Sequence, residues 1–564
     1  MITFPDIWRR YPLVLLICLI TPGQALAQSI VLPSEADISR LRLSPPELPS
    51  QEDFDLTIRN PEKSVVPKDV SALDFLVTRV LVNGVTYFPD EQVGALFAPL
   101  EGQRIRLDGL REQADRLQAM YADRGFLLTR VIIPPQKIDN GLVTIEVIEG
   151  YIDEILLENE TSIAGQMTLN ALAGLRDQRP LNIRELDGKL LILNDTPGIS
   201  VKTLLRPGSE PGAASMVAST ASVPNQGFAS ASNTGSNAIG PAIYSAGYTI
   251  NSPLKRPGAL DLSLSVAGRN LEELQAVSAR YAIPVGSKGL ILYLGGLAAK
   301  AKPGGDAAEL DVASVSYSFE ARLRSPLYRS RSSALYLETA FLFAGTRVTA
   351  LDAEITRDRI ASSQISLRGR HQSSLGQTTA QLLMTAGLPV FGALDEATPN
   401  PSVSEFDPNF SKVSWQLDHV FPLYTTASFL TRVVGQWTDD RLLAGEQVAF
   451  GGQLLGRGYA PSALTGDHGL GLLGELRFDL PAAQAQGVIS NVQVYGFADA
   501  ARAKLLAAKD VPAEKRSIVS YGIGLKAVLV DQLFLDLQFA SEGRTLPGGE
   551  SRPARVNISL VSVF

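Results

Sequence analysis

The sequence predicts two consecutive α+β repeats followed by a transmembrane antiparallel β-barrel of about 16 strands. Three observations carry that prediction. The N-terminus has the three-part form of a secretory signal. Residues 73–222 run twice through the order strand, helix, helix, strand, strand. After about Gln226 the helical period disappears, and near-dyad alternation continues to Phe564.

The signal comes first. Arg9 and Arg10 precede an apolar run, Pro12 to Ile20, that is too short to cross a bilayer as a helix. Ala25-Leu26-Ala27 places small residues where a signal peptidase reads them, so residues 1–27 are expected to be removed before Gln28. Cys18, the single cysteine, follows Ile17 inside this run rather than the small residue of a lipoprotein site. The mature chain then has neither a disulfide framework nor a thiolate metal site. Charged residues make up 19% of the chain, below the usual quarter, and the net charge of −7 becomes −8 without the signal (49 basic against 57 acidic residues). That balance argues against nucleic acid as a partner.

Residues 28–72 read as a tether interrupted by Pro33, Pro45, Pro46, Pro49, Pro61 and Pro67. Within it, Ser34 to Leu43 is a candidate short helix with Ser34 as its cap. The first repeat, 73–150, opens with a strand over Phe75 to Gly84. Two helices follow, and in the second Leu110, Ala114, Leu117 and Tyr121 recur at i, i+4, i+7 and i+11, with Gly125 as the stop. Two strands then flank the Asn140-Gly141 turn. The second repeat, 151–222, has a strand from Tyr151, a helix over Thr168 to Leu175, a second helix closed by Pro197-Gly198, and two more strands. Sheets in such units expose an edge that can take an extended peptide as an added strand; a rigid spacer is the plainer alternative.

Residues 223–564 form the barrel segment. Near its end Leu533, Leu535, Leu537 and Phe539 share one face while Phe534, Asp536 and Gln538 share the other. In the last strand Val556, Ile558, Leu560 and Phe564 alternate with Asn557, Ser559 and Val561. One face suits lipid and the other a wet lumen. A soluble sandwich would alternate as well, but the signal, the missing cysteine and the terminal aromatic strand together place the barrel in an outer membrane.

No enzyme is expected. The three histidines, His371, His419 and His468, have no second histidine or cysteine at ligand spacing. No G-x-S-x-G or P-loop occurs, nor a G-x-G-x-x-G between strand and helix. No catalytic residue, metal or cofactor is therefore assigned.

The arrangement resembles the transporter of two-partner secretion, the haemolysin secretion/activation type within the BamA-like superfamily. That family has a signal peptide, a tether, two polypeptide-transport-associated (POTRA) domains and a C-terminal barrel. "LNDTPGISVKTLLRPG" (Leu193 to Gly208) is similar to the family's run in the second POTRA domain. "ASNTGSNAIG" and "ARYAIPVGSKGL" (Ala279 to Leu290) resemble its early barrel strands. The most specific match is the stretch carrying Glu446, Gln447, Phe450, Gly451, Gly452, Arg457, Gly458, Tyr459, Gly466, Asp467 and Glu475. The resemblance implies that this stretch is the sixth extracellular loop, folded back into the barrel. Its arginine would contact a Phe-x-Asp-x-Gly motif on the wall, supplied here by Phe497 and Asp499. Gly456 stands in place of the family's apolar residue before the arginine, and Ala501 in place of the motif's final glycine.

Strand periodicity agrees with that placement. Gln493, Tyr495, Phe497 and Asp499 share a polar face against Val492, Val494, Ala498 and Ala500. Glu475, Arg477 and Asp479 oppose Leu472, Leu476, Phe478 and Leu480. An arginine drawn into the lumen is costly alone and favourable beside a carboxylate, so Arg457 is expected to fasten to Asp499, with Glu475 as a further partner. A solvated loop arginine is the alternative. The resemblance implies an outer-membrane transporter whose periplasmic POTRA domains take an extended adhesin- or haemolysin-type exoprotein. A plug helix is typical of the family, and Ser34 to Leu43 is the stretch available for it. A barrel-assembly factor of the same superfamily and a passive porin stay open as alternatives.

Overall fold

The computed structural model describes residues 38–44, 47–48, 56–58, 74–158, 162–236, 238–393, 399–480, 489–509, 511–529, 532–546 and 554–564. The expected signal peptide, and Ser34 as a helix cap, lie outside the described residues. Of the tether, Ile38–Arg40 forms a single 3-10 turn, and residues 41–44 and 47–48 follow without regular structure. A short strand, β1 (Leu56–Ile58), completes what is described of it.

The first repeat contains β2 (Asp74–Leu76), β3 (Arg79–Asn83), α1 (Asp90–Phe97), β4 (Arg104–Arg106), α2 (Leu107–Asp123), β5 (Arg130–Ile132) and β6 (Leu142–Ile148). The strand expected over Phe75 to Gly84 is broken at Val77. That residue is fully buried, and its N–H donates to the Gln103 carbonyl, which turns β2 aside to pair with β4. The remaining sheet runs β3-β6-β5, with β3 and β6 parallel. Leu110, Ala114, Leu117 and Tyr121 are the buried face of α2, as their spacing predicts, and Leu110, Leu117 and Tyr121 join Val143 and Ile145 of the central strand in one cluster.

The second repeat contains β7 (Tyr151–Leu157), α3 (Ile163–Leu172), α4 (Ile183–Asn194), β8 (Ile199–Pro207) and β9 (Ala213–Ser222). Helix α3 begins five residues before the expected Thr168, because the Ser162 hydroxyl accepts from the Gly165 N–H and caps it there. Its four-stranded sheet has the order β1-β8-β9-β7. The tether therefore supplies an edge strand: Leu56, Thr57 and Ile58 pair in parallel with Thr203, Leu204 and Leu205.

The barrel is a closed ring of sixteen strands. They are β10 (Gln226–Ser232), β11 (Ile243–Asn251), β12 (Ala259–Ala267), β13 (Leu274–Val285), β14 (Leu290–Ala301), β15 (Ala313–Arg329), β16 (Ser333–Ala350) and β17 (Ala353–Ser373). Then come β18 (Gly376–Gly387), β19 (Ser411–Tyr424), β20 (Ala427–Trp437), β23 (His468–Leu480), β24 (Ile489–Leu505), β25 (Glu514–Leu529), β26 (Leu533–Glu542) and β27 (Arg555–Val563). A small hairpin, β21 (Val448–Phe450) with β22 (Leu464–Gly466), lies in the connection between β20 and β23. Closure is made by β10 against β27, from Phe228↔Val563 to Ser232↔Ser559, so neither end strand keeps a free edge. The dyad faces fall as predicted: Val556 and Ile558 are outward and exposed, Asn557 and Ser559 inward and buried. Because the ring is closed and leaves no free strand edge, its apolar outer face can meet hydrocarbon.

Candidate functional site

The β20–β23 connection folds into the lumen. Phe450, Leu455, Tyr459 and Leu464 from the connection pack with Ala501, Ala503 and Ile518 of the barrel wall as one buried cluster. Its base is held by Asp467, whose carboxylate accepts from the Leu442 N–H (3.0 Å) and the Leu506 N–H (2.8 Å). Glu446, also buried, pairs with Lys412 at 2.9 Å.

At the tip, Arg457 is 7% exposed, and its Nη1 lies 2.5 Å from Glu475 Oε2. Arg477 occupies the other oxygen of Glu475, Nε to Oε1 at 2.7 Å. The guanidinium carbon sits 4.4 Å from the centroid of the Phe497 ring, a cation–π contact, with the Tyr495 ring at 5.9 Å. Asn557 of β27 donates to the Arg457 carbonyl at 3.4 Å. The Tyr459 hydroxyl meets the carbonyls of Val519 (2.9 Å) and Arg544, tying the loop to the β25–β26 side of the wall. At Gly458 a Cβ would stand 2.5 Å from the Ser541 carbonyl oxygen, so only glycine lets the chain pass the wall there.

The expected pairing of Arg457 with Asp499 is corrected by the structure. Asp499 Oδ1 accepts from the Gly456 N–H at 2.9 Å and the Ser520 hydroxyl at 2.6 Å, and so holds the backbone of the turn. The register explains the exchange. Glu475 stands opposite Phe497 and Leu473 opposite Asp499, so Glu475 lies one inward position deeper. A long arginine reaching in from the outer mouth passes Asp499, crosses Phe497 and meets Glu475. All six predicted residues, Arg457, Gly458, Tyr459, Glu475, Phe497 and Asp499, thus converge at this tip or on the wall beside it. Ser520 and Asn557 were not predicted, because nothing in the sequence distinguishes them from other lumen-facing polar residues.

Gly456 explains its own departure from the family pattern. Its φ is +83°, and a Cβ would stand 2.7 Å from Ile518 Cδ1 and 2.8 Å from the Gly451 nitrogen. A side chain at this position would meet strain and collision together.

Sequence reasoning missed a second group of charges on the wall formed by β13 to β17. Glu338, fully buried, is met by Arg324 Nε (2.8 Å), Arg322 Nη1 (2.9 Å) and Arg368 Nη1 (3.2 Å). Arg322 also pairs with Glu320 at 2.9 Å. Alternation would place these side chains inward, but only the strand register shows that they share one patch.

This is the construction of an outer-membrane protein-transport barrel: a closed lipid-facing ring, charged inside, carrying two α+β domains on its periplasmic end. Residues 216–527 match the family described as haemolysin secretion/activation protein ShlB/FhaC/HecB, and residues 75–150 match the ShlB-type POTRA domain. The chain belongs to that family, and it is an outer-membrane transporter of two-partner secretion with its POTRA domains in the periplasm and a secreted exoprotein as partner. Among its relatives, the heme/hemopexin transporter protein HuxB of Haemophilus influenzae (strain 86-028NP) is 23% identical over 475 residues, covering 82% of each chain. The outer membrane transporter CdiB of Escherichia coli O6:K15:H31 (strain 536 / UPEC) is 23% identical over 435 residues, covering 74% of this chain and 71% of the relative. Among solved structures, CdiB from Escherichia coli superposes with a TM-score of 0.71 at 20% identity, covering 91% of this chain and 94% of that one.

Proposed function

We propose that this transporter takes an adhesin- or haemolysin-type exoprotein in extended form and passes it outward through the barrel, and that the loop bearing Arg457 closes the resting lumen. The observation that carries the reading is the buried Arg457–Glu475 pair. A loop held by a desolvated charge pair has a defined closed position, and it stays there until a competing contact replaces the pair. Capture occurs by strand addition to the POTRA sheets. In the first domain β3 and β5 are the edges, while in the second β7 is an edge and β8 is covered by β1. Outward movement is driven by folding of the exoprotein outside the cell. The belt of outward apolar residues, among them Leu472, Phe478 and Ile558, sits in outer-membrane lipid. Catalysis, cofactors and nucleic acid have no part in this reading.

The test is deletion of the chain in its host, followed by blotting of surface and medium for the exoprotein and of the outer membrane for other barrel proteins. Loss of the exoprotein with normal barrel proteins is the expected result. Loss of barrel proteins generally would instead identify an assembly factor.

A further inference from the structure

The tether crosses the lumen from one mouth to the other. Ile38 packs with Ala238, Ile239 and Leu274 at the outer end, and Leu48 packs with Ala334 and Tyr336 at the periplasmic end.

Between these ends three wall arginines take main-chain carbonyls of the tether, while the Arg42 side chain pairs with Glu446 of the inward loop at 3.8 Å. Arg280 Nη1 donates to the Ser44 carbonyl at 2.6 Å, Arg324 Nη1 to the Glu47 carbonyl at 2.9 Å, and Arg370 Nη2 to the Leu48 carbonyl at 3.3 Å. The side chains of Ser44 and Glu47 are exposed and take no part in these three bonds. The three arginines come from β13, β15 and β17, alternate strands of one wall, and form a row down the lumen. Arg324 spends its Nε on Glu338 and still presents Nη1 to the tether. Around Glu338 and Glu320 the arginines outnumber the carboxylates, so this wall favours additional acceptor oxygens.

We propose that Arg280, Arg324 and Arg370 form a track that binds the main-chain carbonyls of any extended polypeptide in transit, and that the tether, through Ser44, Glu47 and Leu48, is its resting occupant. The proposal rests on the transport reading above. A carbonyl is the one acceptor that every residue of an unfolded chain carries, so a row of guanidinium donors grips passing chain without regard to sequence. Each bond is single and exchangeable, and the next carbonyl replaces the last as the chain advances. A lumen that read side chains would stall on part of a long exoprotein.

The test uses the full-length protein in planar lipid bilayers, with a neutral 30-residue Gly/Ser/Asn peptide on the POTRA side and single-channel blockades as readout. The variants are Arg280→Gln, Arg370→Gln and their combination, which leave the ion pairs of Glu338 in place. Heat-modifiable gel migration confirms that each barrel is closed. Blockade dwell time should fall about fivefold for each arginine removed. It should be the same for a scrambled peptide and recover partly in Arg370→Lys. Dwell times that stay unchanged or lengthen while blockades become more frequent would show that the arginines merely clamp the tether, and the track would be wrong. Dwell times that depend on glutamate content, in a matched peptide series, would show carboxylate recognition and overturn it equally. Failure here leaves the transport reading standing as long as deletion of the chain still stops secretion.

Discussion

Arg457 is held by a carboxylate, aromatic rings and an amide, from three different strands. Glu475 stands on β23, Phe497 on β24 and Asn557 on β27. A charge so placed is worth most as a lock, because removing one partner strands the other away from water. Arg457→Ala should abolish secretion while leaving the barrel assembled, as read by exoprotein export and heat-modifiable migration. A double-mutant cycle separates the two carboxylates. Arg457→Ala with Glu475→Ala should show coupling of about 3 kcal/mol in loop-closure free energy. The pairing with Asp499→Ala should show much less. A larger coupling to Asp499 would restore the pairing first expected from the sequence. Gly456→Ala tests the turn itself: a left-handed alanine costs about 1–2 kcal/mol before the contact with Ile518 is counted. The variant should therefore raise open-channel conductance without loss of the barrel. The residues of this site were legible because the stretch from Glu446 to Glu475 resembles the family's inward loop and strand alternation puts Glu475, Phe497 and Asp499 on the lumen face. The partner was not, since choosing between Asp499 and Glu475 depends on cross-strand register and side-chain reach.

At the scale of elements, the α2 stripe and the dyad strands could be read because burial imposes a period. The tether has none. Pro45 follows Ser44 directly and disfavours helix at that serine, and the segment is gripped through carbonyls that every sequence has. Its course through the lumen was therefore invisible, and the helix expected over Ser34 to Leu43 shrinks, among the described residues, to the turn Ile38–Arg40. The same segment ends as β1 on the edge of β8, where it covers main-chain groups that an exoprotein strand would otherwise engage. Replacing Leu56, Thr57 and Ile58 with proline removes the donors of that strand. The variant should bind a fluorescent extended peptide at least several-fold more tightly than the parent, by anisotropy on the full-length protein. Unchanged affinity would mean that β8 is not a capture edge.

The whole molecule is joined at the periplasmic mouth, where Asp195 closes α4. Its carboxylate accepts from Arg329 Nε (2.7 Å) and Nη2 (3.0 Å) and from the Tyr336 hydroxyl (2.6 Å), while Asp187 on the same helix binds Arg331 at 2.9 Å. The Gly258 N–H reaches the Pro197 carbonyl at 2.8 Å, so Asp195 and the Pro-Gly pair of the family run sit at this joint. Asn194 instead staples the domain internally, accepting from the Val201 N–H at 2.7 Å. The motif was visible in sequence, but its role was not, because its barrel partners lie between 54 and 141 residues further along the chain. Tyr336 makes the joint more than a dock. Its ring carries Leu48 of the tether and its hydroxyl holds Asp195, so one side chain touches the lumen occupant and the second POTRA domain. Withdrawal of the tether would remove packing from that ring and loosen the hold on Asp195. Asp195→Asn, which keeps the shape and removes the charge, should weaken the joint by on the order of 3 kcal/mol, since the buried Arg329 loses the Asp195 charge. Spin labels on the second POTRA domain and the β15–β16 turn should then report a broadened distance distribution, and exoprotein export should fall with the barrel intact. Tyr336→Phe, which keeps the ring under Leu48 but removes the hydroxyl, should broaden the same distribution less, because the arginine bonds persist. Equal and narrow distributions in parent and variants would show that the domain is positioned by its backbone contacts alone and that the tether and the POTRA domain move independently.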